Sequence, residues 1–60
     1  MMLPKDVNML LSYINTSLRD KYEDLHDMAG SEGFDEAEVI EKLEAAGYHY
    51  DDIQKRFLMN

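Results

Sequence analysis

The clearest structural signal in the chain is FDEAEVIEKLEAAG, residues 34–47. Asp35 and Glu38 have the D-x-x-E spacing of a capping box, which satisfies free backbone amides at the start of a helix. Gly47 suits the left-handed residue that follows many helices. The apolar residues recur at helical spacing on one face: Val39, Ile40, Leu43 and Ala46. The stretch therefore predicts a helix from about Glu36 to Ala46.

A short helix is predicted immediately upstream, from about Leu25 to Ala29. Asp24 can cap it, because a carboxylate accepts hydrogen bonds from the first free amides. Its inward face would carry Leu25, Met28 and Ala29. The glycines in Gly30-Ser31-Glu32-Gly33 permit a sharp turn, so helix, glycine turn and helix together have the outline of a helix-turn-helix.

A longer helix is predicted before this unit, from about Val7 to Lys21, with Asp6 as its N-cap. Its apolar stripe consists of Val7, Leu10, Leu11, Ile14 and Leu18. Asn15-Thr16-Ser17 are weak helix formers. Tertiary contacts must therefore support this part of the helix.

Two structures are consistent with the residues after Gly47. Tyr48-His49-Tyr50 alternates like a half-buried strand, and Arg56-Phe57-Leu58 could return as its partner. Alternatively, Asp51 and Gln54 could form another capping box and begin a fourth helix. Local pattern does not separate a hairpin from a helix here.

The composition limits the classes of function. Sixty residues form one domain, residues 1–60, and an enclosed pocket of roughly 300–1,000 Å³ would consume most of its interior. We therefore expect no enzyme. The apolar runs are too short for a membrane span, and the start of the chain lacks the apolar segment of a secretory signal. We expect a cytoplasmic protein that does not contact membranes.

The charge is unevenly distributed. The formal net charge is −7, and residues 23–52 alone contain eleven acids and one base. The outward face of the third helix would carry Glu36, Glu38, Glu41 and Glu44. Carboxylates there would repel phosphates, so we expect no DNA contact through this helix. An alternative nucleic-acid-associated regulator would instead use the cations Lys5, Arg19, Lys21, Lys55 and Arg56.

The predicted contact surface is apolar. Met9 and Tyr13 lie four residues apart beside the main stripe of the first helix and widen its apolar face. Tyrosine and methionine are favoured at protein interfaces. The candidate interface residues are Met9, Tyr13, Tyr48 and Tyr50. Their partner is an unidentified protein, and a second copy of this chain is one possibility.

The sequence contains no motif for metal binding, cofactor binding or catalysis. There is no cysteine, and the histidines, His26 and His49, are 23 residues apart, so we expect no metal site. No phosphate-binding glycine loop or nucleophile motif is found. We predict no cofactor and no catalytic residues.

The N-terminal half carries LPKD at residues 3–6, Asn8, LLS at 10–12, IN at 14–15, LRD at 18–20, and Tyr22. The C-terminal part carries IEKL at 40–43, Gly47-Tyr48, Tyr50-Asp51 and Phe57. This pattern resembles a family of small uncharacterised bacterial proteins, a domain of unknown function. The resemblance implies a helical domain that ends in a short hairpin, and it implies no activity.

Two positions depart from the family pattern. Val7 stands where the family has Pro after the capping Asp, and Lys55 stands where it has Asn in the final turn. The second departure weakens a tight turn that depends on a left-handed Asn. Taken together, the sequence predicts a mainly α fold of three short helices, with a helix-turn-helix-like unit and a C-terminal β-hairpin. The predicted function is a non-catalytic protein-interaction module.

Overall fold

The computed structural model describes residues 3–60. The elements in chain order are α1 Val7–Asp20, α2 Leu25–Glu32, α3 Glu36–Ala45, β1 Tyr48–Asp51 and β2 Arg56–Met59. The strands form a two-stranded antiparallel hairpin. The prediction of three helices and a C-terminal hairpin is confirmed, and the alternative fourth helix is wrong.

Each helix begins where an aspartate caps it, as predicted. The Asp6 carboxylate accepts from the amide of Met9, and that of Asp24 accepts from the amide of Asp27. Asp35 accepts from two amides in the first turn of α3. After α3, Gly47 has a φ of 95°, which is the left-handed conformation that its position predicted.

Helix α2 is longer than its sequence pattern predicts. It continues through Gly30 and Ser31 to Glu32, and the stop is Gly33, which has a φ of 77°. The expected break at Gly30 is therefore wrong. Helix α3 follows after three residues, 33–35, so the helix-turn-helix-like order is present. The extra turn of α2 brings the Glu32 carboxylate to the side of α1, where it receives tertiary hydrogen bonds.

One hydrophobic cluster joins all three helices to the hairpin. Helix α1 contributes Leu10, Ile14 and Leu18; α2 contributes Leu25 and Met28; α3 contributes Val39 and Leu43; and β2 contributes Phe57. The stripes predicted for the helices supply most of these side chains. Phe57 lies directly opposite Tyr50 in the hairpin, with ring centroids 5.3 Å apart.

The hairpin turn combines parts of both predicted alternatives. The Asp51 carboxylate accepts from the amides of Ile53 and Gln54, each at 2.8 Å, as it would at the start of a helix. The helix does not continue, because Lys55 has a φ of 58°. The Lys55 amide then donates to the Asp51 carbonyl at 2.7 Å and closes the turn. Lysine therefore occupies the left-handed position that Asn or Gly would adopt with less strain.

A side-chain amide joins the hairpin to α1. The Phe57 amide donates to Asn15 Oδ1 at 2.9 Å, and Asn15 Nδ2 donates to the Phe57 carbonyl at 3.1 Å. Both Phe57 groups therefore point away from β1, on the outer edge of β2. Asn15 covers that edge as a neighbouring strand would. The tertiary contact expected for this weak part of α1 is thus present.

The hydroxyl of Tyr50 makes a second link between the hairpin and the helices. It accepts a hydrogen bond from the Leu25 amide at 3.0 Å, at the first residue of α2. Free amides at a helix start need such partners because no helical carbonyl reaches them. Tyr50 thus supplements the cap that Asp24 provides.

We expect Asn15→Ala to lower the free energy of unfolding by about 1–2 kcal/mol, because both Phe57 groups lose their partner while alanine returns some helix propensity. Urea unfolding followed by circular dichroism measures the change. Asn8→Ala is the matched control, since Asn8 is exposed on the same helix. Equal effects of the two substitutions would contradict the role assigned to Asn15.

We expect Lys55→Asn to raise the free energy of unfolding by about 0.5–1 kcal/mol, because asparagine tolerates the left-handed conformation better than lysine. Lys55→Ala is the control, since it removes the same side chain and retains the backbone strain. The same unfolding experiment compares them. If Lys55→Ala raised the free energy of unfolding as much as Lys55→Asn does, backbone strain at this residue would not be the cause.

Candidate functional site

The four predicted interface residues have different environments. Met9 is 63% exposed on α1. Tyr13, Tyr48 and Tyr50 are half-buried and pack against the core cluster. The Tyr50 hydroxyl lies at the first residue of α2, whereas that of Tyr13 lies at its last residue, Glu32. These two hydroxyls therefore contact opposite ends of α2.

Glu32 receives two tyrosine hydroxyls. Tyr13 donates to Oε1 at 2.6 Å, and Tyr22 donates to Oε2 at 2.8 Å. The cluster joins α1, the α1–α2 loop and the end of α2. No motif in the sequence predicts it, because the three residues are brought together by packing. The one sequence feature that could have pointed to this cluster is the position of Glu32 directly before Gly33, where α2 ends.

This arrangement changes the acidity of both phenols. The hydrogen bond to Glu32 raises the pKa of Tyr13 to about 12, and burial and the nearby negative charge act in the same direction. The same hydrogen bond raises the pKa of Tyr22. Both tyrosines therefore act as neutral donors that satisfy a carboxylate, which is a structural arrangement.

The five predicted cations do not line one groove. Arg19, Lys55 and Arg56 line a half-open groove of about 300 Å³ between the second half of α1 and the hairpin turn. We call it the α1–hairpin groove; it is lined by Asn15, Thr16, Leu18, Arg19, Gln54, Lys55 and Arg56. Lys5 lines a different groove, and Lys21 lines neither.

The second groove lies beside the start of the described chain. Its volume is about 380 Å³, and we call it the N-terminal groove. Its lining residues are Leu3, Pro4, Lys5, Leu10, Phe34, Asp35, Glu38, Val39 and Lys42. They come from the chain before α1, from α1 itself, and from the α2–α3 turn and α3. An apolar floor and a rim with charges of both signs therefore meet in one groove.

The two histidines lie on separate elements. His26 Nδ1 is 3.0 Å from Glu36 Oε1, and this contact raises the pKa of His26. His49 Nδ1 is 2.6 Å from Asn60 Oδ1. Within residues 3–60, no group of three or more His, Cys, Asp or Glu side chains is placed to hold a metal ion.

The outward face of α3 carries the predicted acids. Glu38, Glu41 and Glu44 are exposed, and Glu36 is half-buried beside His26. A duplex approaching this face would meet three exposed carboxylates, with Lys42 as the one cation of the same helix. Among the described residues, no helix is both long and apolar enough to cross a membrane.

We expect the free energy of unfolding to fall as the pH rises from 10 to about 12, because Tyr13 ionises in the unfolded chain while it remains protonated in the fold. The contribution is complete below pH 10.0 and is lost as the pH passes about 12. Denaturant titrations across this range measure the slope.

Tyr13→Phe should reduce this slope, because the ionisable hydroxyl is gone. Tyr48→Phe is the matched control, since its hydroxyl lies outside the Glu32 cluster. An equal slope in the wild type and Tyr13→Phe would show that the bond to Glu32 does not govern the alkaline transition.

The chain is similar to a known protein family over almost its whole length. Residues 4–57 match the family described as "Domain of unknown function (DUF4250)". Among curated proteins and solved structures, none matches the chain. The match includes α1, α2, α3, β1 and the beginning of β2. The chain therefore belongs to the DUF4250 family, whose function is unknown.

Proposed function

We propose that this chain is a non-catalytic cytoplasmic interaction module that binds a short segment of a partner protein in the N-terminal groove. The observation that supports it is an apolar floor made by separate parts of the chain and open to solvent. Leu10 and Val39 are buried beneath it, while Leu3 and Phe34 are half-buried at its surface. One or two apolar side chains of a partner would complete the packing.

The rim of this groove supports a protein segment as the occupant. Lys5 and Lys42 face the same space as Asp35 and Glu38. The two cations and two carboxylates at this rim have no net charge together, although the formal net charge of the whole chain is −7. A peptide with charged residues on both sides of an apolar anchor has complementary partners at this rim, which provide specificity more than affinity.

The lining residues also support a non-catalytic role. Neither described groove is lined by histidine, serine or cysteine, and the Asp35 carboxylate in the N-terminal groove is engaged in capping α3. The Tyr13–Glu32–Tyr22 cluster uses its polar groups within the fold. A nucleic-acid role has less support, since Lys5 and Lys21 lie outside the groove that contains the other three predicted cations.

Site-specific photocrosslinking in cells tests this function. A photoreactive residue replaces Lys42 at the groove rim, and the control replaces Lys21, which lines neither groove. We expect one protein to crosslink from position 42 and not from position 21. A crosslinked pair of chains would identify a second copy as the partner. Equal crosslinking from both positions would show that the groove is not the binding site.

Affinity for the identified protein gives the quantitative test. We expect Lys42→Glu to weaken binding by about fivefold or more, because it reverses one charge at the rim. Lys21→Glu makes the same charge change elsewhere and should leave the dissociation constant within about twofold. Unchanged binding in Lys42→Glu would contradict the assignment of the groove.

A further inference from the structure

We propose that the α1–hairpin groove binds a compact phosphate-bearing ligand, a phosphate monoester rather than a nucleic-acid strand. This inference goes beyond the proposed function and concerns a different groove. Arg19, Lys55 and Arg56 converge there, and the seven lining residues include no carboxylate. That is unusual on a chain with thirteen acids and six bases.

The groove is formed by tertiary structure. The Asn15 amide ties β2 to α1 and thereby holds the turn after β1 beside the second half of the helix. The two walls come from residues about 35–40 apart in the sequence, such as Arg19 and Lys55. The turn itself is closed by the Asp51 carboxylate and carbonyl. The backbone segments that carry the three cations are therefore held beside each other before any ligand arrives.

The donors at this groove suit an anion with several oxygens. Among the described residues, neither Lys55 nor Arg56 forms a direct ion pair or a side-chain hydrogen bond, although Arg56 lies opposite Asp51 in the hairpin and helps to lower the pKa of that carboxyl. Thr16 and Gln54 add a hydroxyl and an amide to the lining. A phosphate dianion accepts several charge-assisted hydrogen bonds, and arginine matches its geometry with two parallel donors.

Arg19 is already paired, but its partner can be displaced or shared. Its Nε and Nη2 donate to the Asp20 carboxylate at 2.9 and 3.2 Å, which leaves Nη1 outside the pair. The two side chains are 75% and 51% exposed, so solvent screens their attraction. Exposed ion pairs of this kind contribute little to stability. A doubly charged ligand would therefore compete with the single Asp20 carboxylate for Arg19.

The backbone at Lys55 supports a functional role for its side chain. A φ of 58° is costly for lysine, and asparagine or glycine would relieve it. Strain that one substitution could remove is a common feature of binding sites. Here the strained residue is a lysine that lines the groove.

The overall charge selects a small ligand over a strand. Residues 23–52 carry ten more acids than bases, and the fold measures 26 × 25 × 18 Å. A strand would bring further phosphates within about one Debye length, ~10 Å, of these carboxylates. A single phosphate group adds no further phosphates, so the carboxylates that it meets are those beside the cations themselves, Asp20 next to Arg19 and Asp51 opposite Arg56.

Amide NMR titrations of the full chain test the proposal. The probes are inorganic phosphate, adenosine monophosphate and a single-stranded oligonucleotide, each at low ionic strength and compared with chloride at equal ionic strength. We expect phosphate and adenosine monophosphate to shift the amides of Thr16, Gln54, Lys55 and Arg56 in a saturable way. Shifts that do not saturate, or that spread equally to Lys5 and Lys21, would overturn the proposal. Tighter binding of the oligonucleotide than of adenosine monophosphate would also overturn it.

Variants separate loss of the site from loss of the fold. Lys55→Asn should weaken the binding of adenosine monophosphate about tenfold, as expected for the loss of one charged hydrogen bond. The same variant should unfold at a higher denaturant concentration than the wild type. Arg56→Gln should weaken the binding similarly. Lys21→Gln makes the same charge change outside the groove and should alter affinity by less than about twofold. Equal losses in Lys21→Gln and Lys55→Asn would show general charge attraction and overturn the site, without bearing on the N-terminal groove.

Discussion

The hydrogen bonds between the Asn15 side chain and the Phe57 backbone are the constraint on which the rest of the structure depends. A two-stranded hairpin is marginal by itself and has an open edge on each side. Asn15 covers one edge of β2 and fixes its distance from α1. Phe57 then points into the core opposite Tyr50. The same contact creates the α1–hairpin groove, so the structural tie and the candidate anion site have one origin.

A core of this size needs additional connections, and polar side chains provide them. Tyr13, Tyr22 and Tyr50 have rings that pack against the hydrophobic cluster. Their hydroxyls reach groups that would otherwise lack partners: the Glu32 carboxylate and the Leu25 amide. Tyrosine suits this position because one end is apolar and the other forms hydrogen bonds. The aromatic residues that suggested an interface also connect the ends of α2 to the rest of the fold.

The local elements could be predicted from the sequence because each depends on neighbouring residues. Capping aspartates, helical apolar spacing and Gly47 determine where helices begin and end, whatever the remaining chain does. The extension of α2 past Gly30 was not predictable in this way. Gly30 opposes a helix locally, and the compensation comes from hydrogen bonds between Glu32 and residues of α1 and the following loop.

The choice between hairpin and fourth helix, and the grouping of the cations, were decided by tertiary structure. Asp51 caps a helical turn equally well in both alternatives, so local energy leaves them close. Docking of Phe57 onto Asn15 favours the strand, although it leaves Lys55 strained. The net charge follows from the residue types alone. The grouping of Arg19, Lys55 and Arg56 in one groove requires that separated segments of the chain pack together. The amino-acid order therefore determined the elements and the net charge, and only packing decided which side chains share a groove.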